Sequence, residues 1–138
     1  MKLMVVDGQG GGIGAAIIKG IRDSLGNDIE IMALGTNSIA TSRMMKSGAN
    51  KGGTGENAIT ITSQKVDIIA GPLSIIMANS MMGEVTPSMA AAISSSDAEK
   101  ILIPLTQERV RVMGSSNEPL PHLVKKVVYE IKEINSNV

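Results

Sequence analysis

Five glycines fall within the seven positions from Gly8 to Gly14, directly behind a short apolar run, Leu3 to Val6. Apolar residues at helical spacing follow at Ile13, Ile17, Ile21 and Leu25. Strand, glycine loop and helix in that order make the context of a phosphate-binding βα turn. Glycine allows positive φ and lets a ligand approach the backbone, while a helix start offers unpaired N–H groups and a partial positive charge. The arrangement points to a nucleotide-type ligand. The alternative is a tight turn that serves only to pack the helix on the sheet.

The rest of the chain alternates in the same way. Strands are expected at Ile29 to Leu34, Val66 to Ala70 and Lys100 to Leu105, and helices from Gly12 to Leu25, Ile39 to Lys46, Ser88 to Ser95 and Pro119 to Ile134. Ser38 is the expected cap of the second helix, and Thr86-Pro87 reads as an N-cap with proline in the first helical position. Residues 56–64 read as a further helix, because a parallel sheet needs a crossover there, although Ile59, Thr60, Ile61 and Thr62 could equally form a strand. Gly52-Gly53-Thr54-Gly55 reads as a surface loop, with a lid or a second anion site as alternatives. Only Thr106 to Glu108 separate Lys100–Leu105 from a possible fifth strand, Arg109–Met113, so an antiparallel edge hairpin is expected there. The fold class is α/β, a Rossmann-like three-layer sandwich with a mostly parallel sheet, in one domain spanning 1–138.

Composition excludes several functions. The chain carries 13 basic and 13 acidic residues, no Phe or Trp, and one tyrosine, so neither a basic footprint nor a stacking platform marks it for nucleic acid. Without cysteine there are no disulfides or thiolate sites. No apolar run approaches the roughly 20 residues that span a bilayer, and the N-terminal run is too short for a signal peptide. A cytoplasmic location is the expectation. The ten methionines read as gap-filling core residues in place of aromatics.

Gly8, Gln9, Gly10, Gly11, Gly12 and Gly14 are the candidate phosphate contacts, with Thr36 and Asn37 as candidates for the ribose or base and Gly71 at the end of the third strand. NAD enzymes carry an acidic residue at the end of the second strand. Thr36 and Asn37 stand there instead, so NAD(P) is only one of the nucleotide cofactors open to the chain. Thr36 to Ser38 can equally serve as turn and cap. Asp7 beside the loop would repel phosphate unless turned away; accepting loop N–H groups in an Asx turn is the favoured role, and a place near Mg²⁺ or a ribose hydroxyl is the alternative. Asn79, Ser80, Glu84 and Thr86 follow the third strand on the edge where ligands sit, and His122 lies in the first turn of the last helix. No acid–base or nucleophile–base pair stands out, so catalytic residues are unassigned. The dense apolar stretch Leu73, Ile75, Ile76, Met77, Met81 and Met82 suggests a homo-oligomer interface, with a fully buried crossover helix as the competing reading. A non-catalytic sensing or scaffolding oligomer is the rival function.

Asp7-Gly-Gln-Gly-Gly-Gly-Ile-Gly14, Ala33-Leu-Gly-Thr-Asn37, Thr54-Gly-Glu-Asn57, Ala78-Asn-Ser80 and Pro119-Leu-Pro-His122 together resemble a small bacterial family of unknown function and similar length. That resemblance implies a Rossmann-like fold and no activity. Gly8, Gly12, Ile13 and Gly14 are also similar in spacing to the loop of short-chain dehydrogenases, as is Asp67-Ile-Ile-Ala-Gly71 to their later strand. Their catalytic Tyr and Lys lie four apart, whereas Tyr129 and Lys132 lie three apart. The glycine loop further resembles that of tubulin-like GTPases. Of that family's Asn-Thr-Asp only Thr36 is shared, and Gly71-Pro72-Leu73 stands where its glycine signature would be.

Overall fold

A sheet of five parallel strands organises the molecule. They are β1 (Lys2–Asp7), β2 (Glu30–Gly35), β3 (Lys51–Thr54), β4 (Ile68–Pro72) and β5 (Glu99–Ile103), in the spatial order β3-β2-β1-β4-β5. The structure, a computed structural model, describes residues 1–137. The helices are α1 (Gly12–Leu25), α2 (Ser38–Lys46), α3 (Glu56–Ser63), α4 (Pro87–Ser95) and α5 (Leu120–Ser136), with a 3₁₀ turn at Leu73–Ile76 after β4. This is the α/β Rossmann-like architecture expected from the sequence.

Both faces of the sheet are covered, so its central strands read as apolar runs. Alternate residues serve opposite cores. Leu3, Val5, Ile31, Ala33, Ile68 and Ala70 face α1, α2 and α5, while Met4, Val6, Leu34 and Ile69 face α3, α4 and the 3₁₀ turn. The chain builds outward from β1 through β2 to β3, and α3 then carries it back to β4 on the other side of β1. Right-handed crossovers put the connections before and after that reversal on opposite faces. A crevice therefore opens above the C-terminal ends of β1 and β4, the usual ligand position in such sheets.

Several expectations are corrected. Arg109–Met113 forms no strand, and the sheet has no antiparallel edge. The Glu108 carboxylate accepts the Met81 N–H at 2.8 Å, which draws the chain over the crevice and away from the β5 edge. Gly52 to Thr54 are not loop but part of β3, hydrogen-bonded to β2. A Cβ on Gly52 would lie 2.9 Å from Met45 Sδ, so the strand there is glycine because α2 presses on it. β4 runs past Ala70 through Gly71 and ends at Pro72. Asn37 caps α2, its Oδ1 accepting the Ala40 N–H at 2.9 Å, and Ser38 is the first helical residue. Within the apolar stretch from Leu73 to Met82, Ile75 and Met81 are buried in the core, Leu73, Ile76 and Met77 are half-buried, and Met82 is 97% exposed.

Thr86 does cap α4, accepting the Met89 N–H, with Pro87 in the first turn. Among the described residues no helix is long and apolar enough to cross a membrane.

Candidate functional site

β1 delivers Asp7 to the rim of the crevice, and the chain then reverses through a tight turn closed by Gly11 N–H donating to Gly8 O at 2.9 Å. Gln9 and Gly11 take left-handed φ angles of 49° and 74°. The Asp7 carboxylate, buried, folds back under this turn. Its Oδ1 accepts the Gly8 N–H and its Oδ2 the Gly14 N–H, both at 2.8 Å. Burial raises the Asp7 pKa, the amides of Gly14, Gly8 and Ile13 oppose that rise, and the charge of Glu84 adds to it. One loop donor, Gly8, and one donor in the first turn of α1, Gly14, are thus already taken by the protein's own carboxylate.

A second carboxylate enters from the segment between the 3₁₀ turn and α4. Glu84 Oε1 accepts three hydrogen bonds: from Gln9 N–H at 2.8 Å, Thr36 Oγ1 at 2.7 Å and Asn37 Nδ2 at 2.8 Å. Partial burial pushes its pKa up, but these three donors outweigh that and hold it below the ordinary glutamate value. Asn37 Nδ2 also reaches Gln9 O at 3.0 Å, so the β1–α1 loop, the β2–α2 turn and the Glu84 segment are tied at one point. The segment delivering Glu84 is contorted. Asn79, Met81, Met82 and Gly83 all have positive φ, and the buried Ser80 hydroxyl pins the segment by donating to Ser74 O at 2.6 Å.

The crevice has a volume of about 530 Å³. Asp7, Gln9 and Ile13 wall one side, Pro72 and Ser74 another, Asn79, Met81 and Met82 a third, and Leu105 to Glu108 close it. Its charged lining is acidic. The nearest cation to the glycine loop is on α2, where Arg43 Nη1 lies 3.4 Å from Gly10 O.

The glycines divide on steric grounds. A Cβ on Gly8 would lie 2.4 Å from Thr36 Oγ1, and one on Gly14 would lie 2.5 Å from Met44 Sδ. On Gly11 it would meet the Ala40 backbone at 2.9 Å, and on Gly71 the Val6 carbonyl at 2.3 Å. Packing alone requires glycine at those four positions. Gly10 is different: the nearest atom is Arg43 Nη1 at 3.9 Å, and its φ is not left-handed. Gly12 meets only the end of the same arginine, at 3.4 Å. Among the described residues, the N–H groups of Gly10 and Gly12 have no protein acceptor.

The structure thus brings Gly8, Gln9, Thr36, Asn37 and Glu84 together, with Asp7 beneath them. Asn79 and Ser80 lie in the segment that walls the crevice. Thr86 lies apart, its hydroxyl donating to Glu56, and His122 is exposed on α5 near Glu118, outside the crevice lining. Arg43 was not legible as a site residue. Its signal is only that it stands one helical turn beyond Ala40, the residue on which Gly11 packs.

Among known structures the chain is similar to a dodecameric FMN-dependent Ubix-like decarboxylase from Escherichia coli O157:H7. The two are 16% identical, with 95% of this chain and 75% of the other covered and a TM-score of 0.48. No protein of curated function matches the chain. A family model matches residues 2–136, nearly the whole chain, and by that match the protein belongs to the family described as a domain of unknown function (DUF3842).

Proposed function

We propose that this domain binds a nucleotide-type small molecule, its phosphate resting on the Gly10 and Gly12 N–H groups beside Arg43 and the remainder reaching toward the crevice between β1 and β4. One observation carries the reading: within a loop whose other glycines are fixed by packing, Gly10 and Gly12 are sterically free and their N–H groups are unpaired. Glycine without a packing or dihedral requirement is what a backbone that must approach a ligand needs. The position at the start of α1 favours an anion, and the Arg43 guanidinium supplies a fork matched to phosphate oxygens. The rival reading, a scaffold whose loop serves only the fold, draws on Asp7, which already occupies the Gly8 and Gly14 amides.

Melting shifts of the wild type against NAD, NADP, FMN, ATP, GTP, S-adenosylmethionine and sugar phosphates test the proposal. A ligand at 100-fold above its Kd adds about 2.7 kcal/mol. Gly10→Val is expected to remain folded, because its Cβ meets only the flexible end of Arg43 at an ordinary 3.9 Å, and to abolish that shift. A wild type that ignores every phosphate-bearing compound, or a Gly10→Val protein that binds as well as the wild type, refutes it.

A further inference from the structure

Glu84 is held in a way that restraint of a loop does not require. All three donors converge on Oε1. Oε2 has no protein partner among the described residues, and no side-chain oxygen there is both buried and unpartnered, so Oε2 faces solvent. One oxygen is therefore an anchor and the other a free, oriented acceptor. The chain also bears left-handed backbone at Asn79, Met81 and Met82 to bring the carboxylate there. Met82 sits in that region with its side chain 97% exposed, so no packing of that side chain compensates it. Non-glycine residues in such conformations are strained and persist where surrounding structure enforces them.

The place is as telling as the geometry. Glu84 stands between the turn of the β1–α1 loop, through Gln9, and the end of β2, through Thr36 and Asn37. In a nucleotide-binding sheet of this kind, an acidic side chain at the end of the second strand accepts the ribose hydroxyls. Here β2 ends in Gly35, followed by Thr36 and Asn37, and carries no such acid.

We infer that Glu84 supplies from the β4–α4 connection the acid that β2 lacks, and that its Oε2 accepts the ribose hydroxyls of the bound nucleotide. The inference rests on the proposed nucleotide site. It makes the ligand a ribonucleotide with a free 2′-hydroxyl, because a 2′-phosphate would confront the carboxylate and a deoxyribose would leave it unpaired. Thr36 and Asn37 are then positioning residues that hold Glu84, not ligand contacts.

Titration calorimetry of the full chain with AMP, 2′-deoxy-AMP and inorganic pyrophosphate tests this, alongside Glu84→Gln. The glutamine keeps an Oε1 for the three donors and replaces only the free acceptor. Wild type is expected to bind AMP roughly 10- to 100-fold more tightly than 2′-deoxy-AMP, the worth of a hydrogen bond to a charged acceptor. In Glu84→Gln that preference should collapse to within about 3-fold while pyrophosphate binds as in wild type. Equal wild-type affinity for AMP and 2′-deoxy-AMP overturns the inference and leaves the phosphate site standing, as does pyrophosphate binding without AMP binding. A Glu84→Gln protein that keeps the preference overturns it too. Should none of the three bind, both the inference and the site beneath it fail. The wild-type comparison alone is decisive if the variant does not fold.

Discussion

Replacing Gly11 by alanine forces two separate costs onto one methyl group. Gly11 has φ +74°, where an L-residue is strained by about 1–2 kcal/mol. Its Cβ would also stand 2.9 Å from Ala40 Cα and 3.0 Å from Ala40 O. Those are backbone atoms of α2, so relief requires α1 and α2 to separate, and overpacking of this kind costs about 1–3 kcal/mol. Against this, losing a glycine restricts the unfolded chain and returns about 0.4–1 kcal/mol. The expected net loss is roughly 1–4.5 kcal/mol, with its centre near 3. Gly10→Ala is the control one residue away. With ordinary φ and nothing closer than 3.9 Å, it should lie within about 0.5 kcal/mol of wild type or be slightly more stable. Urea unfolding of the three proteins, compared at equal m-value, measures both. A Gly11→Ala protein within about 1 kcal/mol of wild type, or a Gly10→Ala protein as damaged as Gly11→Ala, would refute the steric division of the loop.

Two further expectations concern groups away from the ligand. Burial raises the Asp7 pKa, so the folded state holds that proton more tightly than the unfolded chain. Its contribution is complete below about pH 3.9 and is lost as pH rises through the raised folded value, so wild type should lose stability relative to Asp7→Asn across that window. Urea midpoints from pH 3 to 7 check this, and a flat or opposite difference contradicts it. Arg22 donates to Gly48 O, Gly26 O, Ile29 O and Asn50 Oδ1, tying the end of α1 to the chain before β2 and β3. Arg22→Ala should cost about 1–3 kcal/mol through the acceptors it strands, and Arg22→Lys should not restore it, because a point charge cannot reproduce the fork. Thermal unfolding compares them.

What the sequence disclosed follows from which interactions are local. Helix α1 was readable at Gly12–Leu25 because its apolar stripe is periodic and the glycines bound it. The strands β1, β2 and β4 were readable to within a residue or two because burial in the sheet leaves continuous apolar runs, and the edge strand β5 because Ile101-Leu-Ile103 is apolar although only Ile103 is buried. β3 was invisible for the opposite reason. Lys51-Gly-Gly-Thr54 has no side-chain pattern, and its place in the sheet is set by backbone pairing with β2 under the weight of Met45. Arg109–Met113 shows the converse, a strand-like alternation that finds no partner because Glu108 is pulled to Met81. Asp7 in the site, and Thr86 as the cap of α4 outside it, could be read because their partners lie within a few residues. Glu84 meets Gln9 and Thr36 across 75 and 48 positions, and Arg43 meets Gly10 across 33, so only the folded sheet brings them together.

Two independent partitions of the glycine loop coincide. Sterics fix glycine at Gly8, Gly11 and Gly14 and leave Gly10 and Gly12 open. Hydrogen bonding takes up the amides of Gly8 and Gly14 with Asp7 and that of Gly11 with Gly8 O, and again leaves Gly10 and Gly12. Neither criterion entails the other, since a crowded Cα can carry a free N–H and an open one a bonded N–H. Gly12, as the first residue of α1, has an unpaired N–H in any helix, so it is Gly10, one residue before the cap, whose double freedom a turn serving only the fold does not require. Asp7 braces the turn from below by accepting the inner amides of Gly8 and Gly14, while Arg43 donates to the Gly10 carbonyl. The carboxylate that looked like an obstacle to phosphate is thereby part of the loop's support.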